Sequence, residues 1–177
     1  MNEAELDLLV LSAQGGKPKA FGLLFAYYYK PLLGFAIKLS KDPELAKDAV
    51  QDAWVKASKN LYKLNDPRAF KSWIYRLVRW KVLDFLKRQS KESACLEQIL
   101  HESSIEFVDS QAQEGEVLSH ALALLPMVEK QIIHLFYLDE LTIAEISVVI
   151  EIPVGTVKSR LNRARKLLKK KCQQLEN

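Results

Sequence analysis

The chain has 177 residues, 49% hydrophobic and 27% charged, which is enough apolar material to bury a core and excludes a wholly disordered tail. Lys and Arg number 26 against 22 Asp and Glu, a net charge of +4, so any case for nucleic-acid binding rests on where the charges lie. The N-terminus is acidic and the sequence reads as lacking an apolar run of about 18 residues, so a cytoplasmic or nucleoid-associated protein without a membrane span is expected.

Apolar residues recur at three and four positions and only six glycines occur, which predicts an all-α chain. A first helix is expected over Glu3 to Ala13, ending at Gly15-Gly16. A second, from about Lys19, carries Phe21, Leu24, Phe25, Tyr28 and Tyr29, with Pro31 expected to kink or restart it. Asp42-Pro43 has the form of an N-cap followed by proline at the first helical position, opening a helix toward Asn60. Asn65-Asp66-Pro67 opens the next, an amphipathic helix over about Arg68 to Arg88 with Phe70, Ile74, Leu77, Val78 and Phe85 on one side. These four helices form a predicted N-terminal domain, residues 1 to 89.

Residues 90 to 115 mix Ser, Glu and Gln around a short apolar patch at Leu96, Ile99 and Leu100 and are expected to be a flexible acidic linker with at most one brief helix. From Glu92 to Glu116 there are seven acidic residues and no Lys or Arg. A second domain, 116 to 177, is predicted to hold helices over Glu116 to Leu124, Pro126 to about Asp139, Thr142 to Ile150, and Pro153 to the C-terminus. Only Glu151-Ile152 separates the last two, the signature of a helix-turn-helix.

On the last helix Val157, Leu161, Ala164 and Leu168 form an apolar stripe. Between Val154 and Lys171 the charged residues are all basic: Lys158, Arg160, Arg163, Arg165, Lys166, Lys169, Lys170 and Lys171. A recognition helix enters the major groove by its first turns, which makes Thr156, Lys158, Ser159, Arg160 and Arg163 the candidates for base contact. Arg163 is the first choice, because a guanidinium can pair with the O6 and N7 edge of guanine, and Arg165 and Lys169 to Lys171 are assigned to phosphate or solvent. In the N-terminal half, Arg68, Lys71, Arg76, Arg79, Lys81, Lys87 and Arg88 are interleaved with Trp73, Tyr75 and Trp80, a combination suited to single-stranded nucleic acid. The loop from Leu61 to Asp66 could capture an unstacked base through Lys63, Asn65 or backbone.

The segment IPVGTVKSRLNRARKLL, Ile152 to Leu168, resembles the promoter-reading helix of the extracytoplasmic-function (ECF) branch of the sigma-70 family. ALALLPMVEKQIIHLFYLDELTIAEIS before it resembles region 4 of that family. ELAKDAVQDAWVKA resembles region 2.2, and FKSWIYRLVRWKVLDFLKR resembles regions 2.3 and 2.4, so the likeness runs from about Phe21 to Leu168. It implies a sigma factor that directs bacterial core RNA polymerase to promoters. Asp48, Gln51, Asp52 and Trp54 match the helix that docks on the β′ clamp, and the β flap is expected as a further polymerase contact. Phe70, Trp73, Tyr75 and Arg76 match positions that open and read the minus-10 element, to which Lys63, Asn65 and Lys71 are added. Lys158, Ser159, Arg160 and Arg163 match positions facing the minus-35 element, and the acidic linker matches the segment that threads toward the RNA exit path. An anti-sigma factor is a further partner that the resemblance makes plausible. The chain departs from the family pattern at Trp80, where many relatives have asparagine, at Glu151, where glycine is usual, and at Ser147, where alanine is usual. Glutamate at a left-handed turn position would cost up to about 1 kcal/mol relative to glycine.

No nucleophile with a base, phosphate loop or metal cluster is apparent, so neither catalysis nor a cofactor is expected. Cys95 and Cys172 form no CxxC pair, and His101, His120 and His134 have no metal-ligand spacing, which argues against zinc; the thiols are expected to be reduced. Two other readings compete. A stand-alone helix-turn-helix regulator would bind duplex DNA without polymerase, and a nuclease would need clustered carboxylates or histidines beside the basic helix.

Overall fold

The computed structural model describes residues 1–96, 121, 122 and 124–175, and these contain seven helices and no strand. The expected linker and the expected helix from Glu116 fall almost wholly outside the described residues. The seven are α1 (Glu3–Gln14), α2 (Pro18–Ser40), α3 (Pro43–Asn60), α4 (Phe70–Leu96), α5 (Met127–Tyr137), α6 (Ile143–Ile150) and α7 (Val154–Leu175), with single 3-10 turns at Leu61–Lys63 and Pro67–Ala69.

Local chemistry sets most of the boundaries. Asn2 and Glu5 form a capping box at the start of α1, and Asp42 accepts hydrogen bonds from the backbone N–H groups of Glu44 and Leu45 ahead of Pro43, each satisfying donors that a helix start leaves unpaired. Asp66 caps the Pro67–Ala69 turn rather than α4 itself, so the long helix begins at Phe70. It runs to Leu96, eight residues beyond the expected end at Arg88, because nothing in the polar stretch after Arg88 is a helix breaker. Pro31 lies inside a continuous α2. A proline there removes one backbone hydrogen bond, and Tyr27, four residues earlier, is an exposed residue.

The structure corrects one expectation outright: α2, with a mean hydropathy of 1.3 over its most apolar window, is long and apolar enough to cross a membrane by length and composition. Its charges stand far enough apart to leave an 18-residue window with at most two. In the fold that apolar surface is used internally. Leu24, Tyr28, Leu32, Phe35, Ala36 and Leu39 are buried, and α2 packs against α1, α3 and α4.

In the second half Thr142 and Glu145 form a capping box on α6. Glu151 then takes a left-handed conformation, φ 62°, ψ 43°, to end that helix. Ser147 Oγ donates to the Ile152 carbonyl at 2.6 Å across the turn, so the serine in place of alanine ties the turn together. Val157, Leu161 and Ala164 of α7 are buried and Leu168 half-buried, as the stripe predicts, against α5 and α6. Replacing Thr142 with alanine should cost about 1 kcal/mol of stability, read as a lower urea midpoint at unchanged slope.

The two halves also meet. α6 lies along α4, α2 touches α5, and the buried apolar residues of both halves form one continuous cluster.

Candidate nucleic-acid interface

The outer face of α7 is open and basic. Lys158, Ser159 and Arg163 are exposed, and Ser159 and Arg163, with Asn162 and Lys166, line a shallow groove that continues to Lys170. Thr156 is half-buried and its carbonyl accepts from Ser159 Oγ at 3.0 Å.

Arg160 differs from its neighbours. Its Nη1 lies 3.2 Å from Oε1 of Glu129, a carboxylate only 2% exposed, and Arg163 stands 4.0 Å from the same oxygen. A buried carboxylate needs such partners, since burial without them costs several kcal/mol. Arg160 is thus tied to α5, whereas the Arg163 side chain is 67% exposed and free to reach outward. Arg165 is also engaged: Nε donates to the Tyr137 hydroxyl at 2.8 Å and the guanidinium lies over the Phe136 and Tyr137 rings. Glu129 was legible in part, because it shares a helical face with Ile132, Ile133 and Phe136 in an otherwise apolar run. Its partner could not be read from spacing.

The α4 candidates divide by depth. Phe70 and Tyr75 are buried, each 1% exposed, and form the floor of the N-terminal core with Tyr28 and Phe35. Burial, and then the carboxylate of Asp139, push the Tyr75 hydroxyl well above the usual phenol range, so it stays protonated. Trp73 is half-buried with its ring 5.9 Å from that of Phe70. Arg76 lays its guanidinium 5.1 Å from the Trp80 ring centre, and Lys56 approaches the same ring at 5.5 Å; these are cation–π distances. In the loop, Lys63 and Asn65 are both exposed, and Lys63 stands over the Tyr62 ring.

The helix-turn-helix half covers part of this surface. Trp80 Nε1 donates to Glu151 Oε2 at 2.8 Å, Arg79 Nε donates to Gln131 Oε1 at 3.0 Å, and Lys71 Nζ donates to the Glu140 carbonyl at 3.2 Å. Burial lowers the pKa of Arg79, an effect that the nearby Glu151 opposes. None of these three pairs was foreseen, since nothing local links residues that lie 52 to 71 positions apart.

On α3, Asp48, Gln51 and Asp52 are exposed along one face, with Asp52 3.0 Å from Lys81 Nζ. Trp54 belongs to the core at 4% exposed, among the rings of Phe21, Phe25 and Phe70.

A helix-turn-helix with a basic second helix, appended to a helical half with an exposed acidic face on α3 and an aromatic–cationic helix, is the architecture of a DNA-binding protein. Residues 24–92 match the family model described as Sigma-70 region 2, and residues 115–168 the one described as Sigma-70, region 4. The ECF RNA polymerase sigma-E factor of Haemophilus influenzae is 30% identical over 94% of this chain and 95% of its own length. That of Escherichia coli K12 is 30% identical over 99% and 98%, and the ECF sigma factor SigW of Bacillus subtilis 28% over 90% and 92%. Among solved structures, CnrH in complex with the cytosolic domain of CnrY matches at a TM-score of 0.68, with 22% identity over 93% of this chain and 94% of that one. The sigma factor RpoE in complex with the anti-sigma factor NepR from Bartonella quintana matches at 0.72, with 23% identity over 88% and 98%; these two share the fold. The chain belongs to the ECF subfamily of sigma-70 RNA polymerase sigma factors.

Proposed function

We propose that this ECF sigma factor works through two separable units, residues 1–89 and 116–177, joined by the acidic segment 90–115. The first unit docks on core RNA polymerase and holds the melted minus-10 strand, and the second reads the minus-35 duplex. The observation that carries this is the coexistence, on one chain, of an exposed carboxylate–amide face on α3 and an exposed basic face on α7. Asp48, Gln51 and Asp52 present acceptors and one amide to a basic clamp surface of β′, with Trp54 fixing α3 from inside. Lys63, Asn65, Lys71, Trp73 and Arg76 receive the single strand by stacking and backbone neutralisation, while Phe70 and Tyr75 shape the platform from below. At the minus-35 element Arg163 is the main base reader, assisted by Lys158, Ser159 and Thr156, and Arg160 serves as the strut that holds α7 to Glu129.

Joining two weak contacts in one chain raises their effective concentration, so neither half has to bind DNA tightly alone. The protein supplies recognition and leaves phosphoryl transfer to the polymerase, acts in the cytoplasm, takes no cofactor and is a target for an anti-sigma factor. Transcription from a genomic promoter pool by purified bacterial core polymerase should yield new RNA 5′ ends, sharing two upstream elements at fixed spacing, only when this protein is added. An Asp48→Lys/Asp52→Lys variant should lose core binding and those starts together. Duplex binding without any core-dependent start would favour a stand-alone regulator instead.

A further inference from the structure

A cleft of about 270 Å³ opens between the C-terminal end of α2 and the start of α5. None of the described residues that line it is acidic, and three are lysines: Lys38 and Lys41 from the end of α2 and Lys130 from α5. The carboxylate next in sequence, Asp42, accepts from the backbone N–H groups that open α3. One wall is apolar: Phe35, Leu39 and Leu125 are buried, and Met127 is exposed beside them. Gln131, 5% exposed, also lines the cleft, and its Oε1 accepts from Arg79 Nε. Its other polar group is the amide nitrogen, a donor.

Two of the lysines suit their helix, since the dipole at the end of α2 favours cations. Lys130 does not. It is the fourth residue of α5, near an N-terminus whose dipole disfavours a cation and where Pro126 supplies no side-chain cap. Burial, and then the charge of Lys41, lower the pKa of Lys130, which is the mark of like charges gathered without regard to stability. An anion seated among them would relieve that repulsion. The volume lies just under the roughly 300–1,000 Å³ of ordinary small-molecule sites, so the occupant is compact, and the apolar wall calls for more than a bare phosphate.

We propose that this cleft binds a nucleoside diphosphate, its phosphates on Lys38, Lys41 and Lys130 and its base against Phe35, Leu39, Leu125 and Met127. The site shares no residue with the docking face, the single-strand surface or the minus-35 helix proposed above, and it stands or falls independently of them.

The test is calorimetric titration of the full-length protein with ADP, inorganic pyrophosphate and adenosine in metal-free buffer. ADP should bind one to one, and more tightly than either of its parts. Lys41→Gln and Lys130→Gln should each weaken ADP about ten-fold, the low end for a hydrogen bond to a charged group. Lys30→Gln removes the same charge from an exposed part of α2 outside the cleft and should change nothing. Met127→Ala should weaken ADP about three-fold through lost apolar contact and leave pyrophosphate as it was. Absence of ADP binding up to about 1 mM, a Kd well beyond ordinary ligand sites, would overturn the proposal. So would equal losses in Lys30→Gln and Lys130→Gln, which would assign the binding to diffuse surface charge, or pyrophosphate binding as tightly as ADP, which would leave no role for a base.

Discussion

Arg160→Ala should lower folding stability by about 3 kcal/mol, toward the lower end of the roughly 3–5 kcal/mol lost when one partner of a buried ion pair is removed. The substitution strands Glu129, 2% exposed, in the interface between α5 and α7. Its remaining neighbour, Arg163, already stands at 4.0 Å and takes over part of the role, which sets the estimate low. A second substitution distinguishes loss of the pair from loss of packing: Glu129→Leu combined with Arg160→Met restores apolar volume on both sides and should recover most of the stability, because the pair's own net worth is small against its desolvation. Urea unfolding of the single and double variants measures both. A loss under about 1 kcal/mol in Arg160→Ala would mean that Glu129 finds solvent or another donor without help from α7.

Arg163→Ala should leave the fold intact, since its side chain is 67% exposed, and should cost recognition instead. Loss of a bidentate guanine contact removes about 1–3 kcal/mol of discrimination, or roughly 5- to 150-fold in relative affinity. The effect should be confined to one base pair of the minus-35 element. Competition between duplexes carrying single changes in that element measures it. Lys169→Ala and Lys170→Ala serve as the contrast: phosphate contacts weaken every duplex alike and flatten the salt dependence by about one ion each. Uniform weakening by Arg163→Ala would reassign Arg163 to the phosphates.

Much of the fold is written locally. The N-caps at Asp42 and Thr142, the proline after Asp42, and the two-residue turn before Pro153 each act within a few residues, so they fix helix starts and the helix-turn-helix before any tertiary contact forms. The apolar stripe of α7 is a periodicity and was equally readable. Trp54 illustrates the limit of such reading. The family resemblance grouped it with Asp48, Gln51 and Asp52 on the docking helix, yet the helical period turns it inward, where three other aromatic rings surround it. Phe70 and Tyr75 follow the same rule, since an aromatic in a basic helix is a candidate for stacking only if the neighbouring helices leave it uncovered.

The sequence by itself determined the helical class, the positions of the caps, the helix-turn-helix and the basic face of the last helix, because each depends on short-range periodicity and backbone chemistry. Only the tertiary structure decided that Arg160 is tied to Glu129 while the Arg163 side chain stays exposed, that α2's apolar length serves the core, and that Trp80 meets Glu151. Those outcomes depend on which groups converge from distant parts of the chain and, for Arg160, on the cost of leaving a buried carboxylate unpaired, which no local pattern records.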